Sequence, residues 1–155
     1  MTLKHIIISA SVVAAGFFSL NATRSTGEPK DGLDKRVFTV TMTEVKEGMP
    51  PKKGVEDEIE FKGGKGMFSN FLFEKYEFKY IKYDIKKDST FTDEEQNQIR
   101  WIEAEVSTTN KEDETMVMTV TVEEYDIHGE IKITKKDKLK KKFEFSGKEK
   151  LKKKK

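Results

Sequence analysis

From Arg36 onward the chain alternates. In RVFTVTMTEV, residues 36–45, Phe38, Val40 and Met42 fall on one side of an extended backbone and Thr39, Thr41 and Thr43 on the other. That period of two puts successive side chains on opposite faces of a strand, one buried and one wet. The pattern recurs along the chain. VEDEIEFKGG (55–64) sets Ile59 and Phe61 against Glu58, Glu60 and Lys62, and FKYIKYDIKKD (78–88) sets Ile81, Tyr83 and Ile85 against Lys82, Asp84 and Lys86. IRWIEAEVST (99–108) buries Ile102, Ala104 and Val106, and TMVMTVTVEEY (115–125) buries Met118, Val120 and Val122. GEIKITKK (129–136) offers Ile131 and Ile133, and KLKKKFEFSG (138–147) offers Leu139, Phe143 and Phe145. One segment differs: MFSNFLFEKY (67–76), read as the third strand, is apolar on both sides, with Met67, Phe71 and Phe73 opposite Phe68 and Leu72.

Between these segments lie turn formers. KEGMPPKKG breaks after the first strand, GGKG (63–66) closes the second tightly, and TNKED joins the fifth to the sixth. STFTDEEQNQ is the one helical interruption expected, near 92–98, because Thr92 and Glu95 have capping-box spacing and Asp93 and Glu94 suit a positive helix start. Eight short strands joined mostly by short turns describe an all-β, antiparallel up-and-down meander. Exposed edges drive such a sheet to close into a barrel or to fold over as a β-sandwich. The barrel is the expectation, since eight strands enclose just enough room for packed side chains or one small ligand.

This strand order over residues 36–147 resembles the lipocalin and fatty-acid-binding group of small barrels. The likeness is one of architecture. The first strand carries RVFTVTM where lipocalins have Gly-x-Trp, the only tryptophan is Trp101 on the fifth strand, and Thr92-Asp93 is followed by Glu94 rather than Tyr. The resemblance implies binding of a small hydrophobic molecule.

The opening MTLKHIIISASVVAAGFFSL has a short basic head, an apolar run from Ile6 to Leu20 and small polar residues around Ala22. This is the plan of a secretory signal over residues 1–22. The run of 15 residues falls short of the roughly 20 that span a bilayer. Export is therefore expected, to a bacterial periplasm or medium, since there is no cysteine to build a disulfide framework. Residues 23–35, TRSTGEPKDGLDK, read as a flexible lead-in, residues 36–147 as the barrel and residues 148–155 as a Lys-rich disordered tail. Charged residues make up 37% and hydrophobic ones 35%, which leans polar, but 11 phenylalanines in an alternating frame exclude wholesale disorder. The net charge of +2 hides an uneven spread, because residues 135–155 hold twelve lysines against Asp137, Glu144 and Glu149. An acidic body thus carries a basic end.

Catalytic chemistry finds little to work with. His128 is the one histidine after the signal, expected in the turn YDIHGE, and Ser69, Ser89, Ser107 and Ser146 lie in no nucleophile motif. Asp88, Asp93, Glu94 and Glu95 stand close enough for an oxygen-ligand cation, but without the spacing of a calcium loop they read as helix capping and solubility. GGKG precedes a strand rather than the helix a phosphate loop needs. No enzyme, metal or cofactor is expected. The aromatic run Phe68–Tyr83 exceeds what one core face needs, so Phe71, Phe73 and Tyr83, with Met118, are assigned as the lining of a ligand cavity, the alternative being a filled core. Trp101 shares the outer face with Glu103 and Glu105 and is assigned, with Lys152, Lys153, Lys154 and Lys155, to contact with an acidic surface or polyanion. Nucleic acid is a poor fit, since the tail lacks interleaved aromatics. The reading is an exported binding module. Its alternative is an envelope-associated interaction protein with a filled core and a basic tail.

Overall fold

The computed structural model describes residues 32–63, 65–79 and 81–151. The signal, most of the lead-in and Lys152–Lys155 lie outside the described residues.

Eight antiparallel strands close into an up-and-down barrel: β1 (Val37–Glu44), β2 (Val55–Lys62), β3 (Gly66–Ser69), β4 (Ile81–Thr92), β5 (Gln98–Thr109), β6 (Glu114–Glu123), β7 (Asp126–Lys135) and β8 (Lys138–Glu149). Helix α1 (Asn70–Tyr76) follows β3. The alternation read from the sequence is the alternation of burial. Phe38, Val40 and Met42 on β1, Ile59 and Phe61 on β2, Ile102, Ala104 and Val106 on β5, and Met118, Val120 and Val122 on β6 all lie inside. Every strand contributes to the interior. Phe38, Phe61 and Tyr83 run across it edge to face, with ring centroids 5.9 and 5.2 Å apart. Each large apolar side chain buried this way contributes about 1.5–3 kcal/mol.

The ladder is uneven. β1 and β8 close the barrel through seven residue pairs, Phe38↔Glu149 to Glu44↔Phe143. β3 meets β4 through only two, Gly66↔Lys82 and Met67↔Ile81. The cause is the length of β3, which gives way to α1 after four residues.

Several expectations are corrected. The short helix lies at Asn70–Tyr76, within the segment read as the third strand, and not near 92–98. The two-sided apolar character of FLFEKY is that of a helix packed on one side. At 93–97 the chain makes a hairpin turn instead: the Asp93 carboxylate accepts from the backbone N–H (2.8 Å) and the side-chain amide (3.0 Å) of Asn97, and Gln96 takes φ 67°, outside any helix. A bulge in β8 at Lys140 breaks the strict alternation there, so Leu139 pairs with outward Thr134 and is exposed rather than buried. A second bulge lies at Lys86 in β4. Lys87 faces Glu103 and Asp84 faces Glu105, while Lys86 pairs with Asp84 at 2.8 Å and Lys82 faces Gly66. β8 runs on to Glu149, two residues past the expected end at Gly147.

One end of the barrel is closed by charge. Leu33, in the stretch read as lead-in, is fully buried there, and the Arg36 backbone N–H donates to its carbonyl at 3.0 Å. The Arg36 guanidinium donates to both Glu149 carboxylate oxygens (3.0 and 2.7 Å), to Gly32 O at 3.1 Å and to Glu124 O, and it lies 5.0 Å from the Phe38 ring centroid. Three separate pieces of chain are clasped by one side chain.

Candidate functional site

The opposite end, where β1 runs into β2, β5 into β6 and β7 into β8, is covered by α1. The helix begins there because Ser69 caps it. The Ser69 hydroxyl accepts from the Leu72 N–H at 3.2 Å and donates to the Asp57 carboxylate at 2.5 Å, whose other oxygen accepts from the Phe71 N–H at 3.3 Å. Two donors that a helix start leaves without partners are thereby satisfied, which is why Asp57 and Ser69 are the polar residues found buried. The helix stops where Glu77 enters the left-handed region at φ 55°, its N–H donating to Phe73 O and the Phe78 N–H to Leu72 O. The Asn110 side-chain amide, in the β5–β6 turn, donates to Tyr76 O at 2.8 Å and ties the helix down.

Beneath the helix lies an aromatic cluster. Phe71 packs edge to face on Phe143 with centroids 5.3 Å apart, and Tyr76 lies 5.8 Å from Phe71 and 6.0 Å from Phe143. On its outer side Phe71 opens onto a groove of about 350 Å³ lined by Val55, Phe71, Glu74 and Lys75. The Lys75 ammonium sits 5.2 Å from the Phe71 ring centroid, so a cation already rests on the groove's aromatic wall. Met49, Val55, Phe73 and Leu139, all exposed, belong to elements at this end.

Charge at this end is ordered as well. Glu44, at the end of β1, accepts from Lys141 at 2.6 Å and from Lys52 at 2.8 Å, and these bonds hold its carboxyl at about 2, below its ordinary 4.5. Burial, with Glu44 and Glu114 nearby, pushes the Tyr76 phenol upward.

The four residues assigned to a ligand lining separate into different places. Phe71 lines the groove and is half-buried against the core, whereas Phe73, one face away on the same helix, is exposed and packs on Phe68 at 5.9 Å. Tyr83 and Met118 are packed in the interior at 2% and 0% exposure. The sequence reading missed Val55, Glu74 and Lys75. The signal for Lys75 was its i,i+4 relation to Phe71, invisible while the segment was read as a strand.

The remaining assignments are elsewhere. Trp101 is on the outer face of β5, as alternation required; its indole N–H donates to Glu103 at 2.8 Å and its ring lies 6.3 Å from that of Phe91. His128 lies within β7 rather than in a turn, exposed between Thr121 and Ser146 on the neighbouring strands. Ser69 faces Asp57, and Asp88 is held by Arg100 at 2.9 and 2.8 Å. Among the described residues no three His, Cys, Asp or Glu side chains gather as metal ligands. Much of the lysine excess is paired: Lys141 with Glu44, Lys142 with Glu130, Lys148 with Asp126 and Lys150 with Glu58.

The closed eight-stranded meander is the architecture that the lipocalin resemblance implied. Comparison with protein-family models, with curated proteins and with solved structures finds no match to this chain.

Proposed function

We propose that the protein is a small exported binding module that takes a small hydrophobic molecule at the helix-covered end of its barrel, in the groove beside Phe71. The observation that carries this reading is the groove itself, a shallow and open surface groove of about 350 Å³ lined by Val55 and Phe71, with Lys75 and Glu74 as polar groups at its side. Small-molecule sites combine apolar walls with a few polar groups that set orientation, and they favour the mouths of barrels. Packing of Tyr83 and Met118 in the core limits the depth of the site. The ligand rests against α1 and displaces no interior side chain. Export rests on the pattern of residues 1–22, and a measured mass for the chain recovered from an exporting host that still includes those residues would refute it.

The test is native mass spectrometry of the protein purified from an exporting host without organic solvent, with denaturing extraction of any adduct. A reproducible apolar adduct, lost in Phe71→Ala and retained in Phe73→Ala, is the expected result. Retention of the adduct in Phe71→Ala and Val55→Ser would overturn the site, and a clean mass at every ligand concentration tried would overturn the function.

A further inference from the structure

Two loops stand side by side on the rim of the helix-covered end. Residues 45–54 join β1 to β2. The Met49 N–H donates to Lys46 O at 3.1 Å, Gly48 takes φ 71°, and the Lys52 N–H returns to Glu44 O at 3.4 Å, so residues 46–51 project past the strand ends with Met49 among them. The β7–β8 hairpin is the neighbour of this loop and turns tightly on Lys136 and Asp137, at φ 50° and 59°. Three bonds hold the two together. The Val45 N–H donates to Lys142 O at 2.9 Å, and the Glu44 carboxylate accepts from Lys52 of the first loop at 2.8 Å and from Lys141 beside the second at 2.6 Å.

Each loop shows an apolar side chain among lysines. Met49 and Leu139 are 64% and 58% exposed, the second because the bulge at Lys140 turns it outward. Pro50 and Pro51, next to Met49, are exposed as well. Residues 45–54 and 135–141 hold eight lysines against Glu47 and Asp137. Glu44 takes Lys52 and Lys141, and Glu114 stands opposite Lys135 across the β6–β7 ladder. Lys46, Lys53, Lys136, Lys138 and Lys140 are exposed and make no ion pair among the described residues. Other acids lie to the sides: Glu56 on β2, Glu74 on α1, and Glu112 and Asp113 in the β5–β6 turn. The rim between β8 and β1 therefore keeps an excess of positive charge around its two apolar tips.

We propose that these two loops dock the protein on an anionic lipid bilayer. Met49 and Leu139 enter the boundary between headgroups and acyl chains, while Lys46, Lys53, Lys136, Lys138 and Lys140 meet the lipid phosphates. The unpaired lysines set the sign of the partner surface. The apolar tips select a bilayer over a soluble polyanion, which has no apolar layer to receive them. Long lysine stems suit this depth, because they cover apolar surface while the ammonium stays among the headgroups. Docking stands on the loops alone and does not depend on a ligand in the groove beside Phe71.

The probe is a vesicle of phosphatidylglycerol and phosphatidylcholine in equal parts, mixed with the chain recovered from an exporting host, and partition is read by flotation. The expected result is partition that weakens as salt rises and is absent with phosphatidylcholine alone. A lysine near an anionic leaflet is worth about fivefold in binding, so Lys136→Gln, Lys138→Gln and Lys140→Gln together should lower partition about a hundredfold. Met49→Ser with Leu139→Ser should lower it about tenfold. Neither set should move the melting temperature much, because all five side chains are exposed. The chain holds no cysteine, so an environment-sensitive dye on Met49→Cys reports one loop alone. Its emission should shift to the blue on the vesicles, while the same dye on Tyr125→Cys, in the β6–β7 turn at the other end, should not shift. Partition unchanged in the Met49→Ser, Leu139→Ser protein, with no blue shift at residue 49, would reduce the effect to charge that any soluble polyanion could meet, and would overturn the proposal. So would absence of partition, or partition lost only when residues 152–155 are removed.

Discussion

Replacing Arg36 with methionine tests the clasp that closes one end of the barrel. The substitution keeps most of the apolar stem and removes four donor contacts: two to Glu149, one to Gly32 O and one to Glu124 O. The side chains of Arg36 and Glu149 are 12% and 15% exposed, so Glu149 would be left a largely buried carboxylate with no counter-charge. Breaking a buried pair by removing one partner costs about 3–5 kcal/mol, and residual solvent access places this case at the lower end, about 3 kcal/mol. For a barrel of this size that lowers the melting temperature by about 12 °C. Thermal and urea unfolding measure it. Lys150→Met is the control, because the Lys150–Glu58 pair is 61% and 48% exposed and removing it should cost no more than about 0.5 kcal/mol. Adding Glu149→Gln to Arg36→Met should recover part of the loss, since the stranded charge is gone, with a coupling of about 1–2 kcal/mol. A loss below about 1 kcal/mol for Arg36→Met, or one matching the control, would refute the clasp.

Two further outcomes follow from local geometry. Because Glu44 titrates at about 2 in the folded barrel against an ordinary 4.5, its ion pairs contribute stability that is full above pH 4.5 and declines as pH falls toward 2; urea midpoints measured across that window should fall less steeply in Glu44→Gln, and parallel curves would refute the pairing. A Cβ on Gly147 would lie 1.9 Å from Thr39 O in the β1–β8 seam, so Gly147→Ala should cost about 3 kcal/mol or more by calorimetry, whereas Gly48→Ala, with open space around it but φ +71°, should cost about 1 kcal/mol.

The strand positions were legible because alternation reports burial directly, and Phe38, Ile59, Ile102 and Met118 carry it without exception. Local chemistry misled wherever a competing partner decided the outcome. Thr92 and Glu95 have the spacing of a helix cap, but Asp93 and Asn97 bond to each other first and fold the chain into a hairpin. Ser69 does start a helix, with a reinforcing acceptor, Asp57, that arrives from a different strand. Bulges are invisible to strict alternation, which put Leu139 inside. The groove was only half legible: Phe71 drew attention as one aromatic among many, while Val55 and Lys75 gain meaning only once α1 folds over the barrel mouth.

The seam between β1 and β8 has a mechanical consequence. These strands are antiparallel, and the start of one lies beside the end of the other, Phe38 opposite Glu149. A load drawn between Val37 and Lys150, across the strands, meets the rungs singly rather than all seven together. It must first part the Lys150 N–H from Val37 O and then the Arg36–Glu149 pair beside it. Resistance of the barrel to stretching is therefore set at its outermost rung, however large the core behind it.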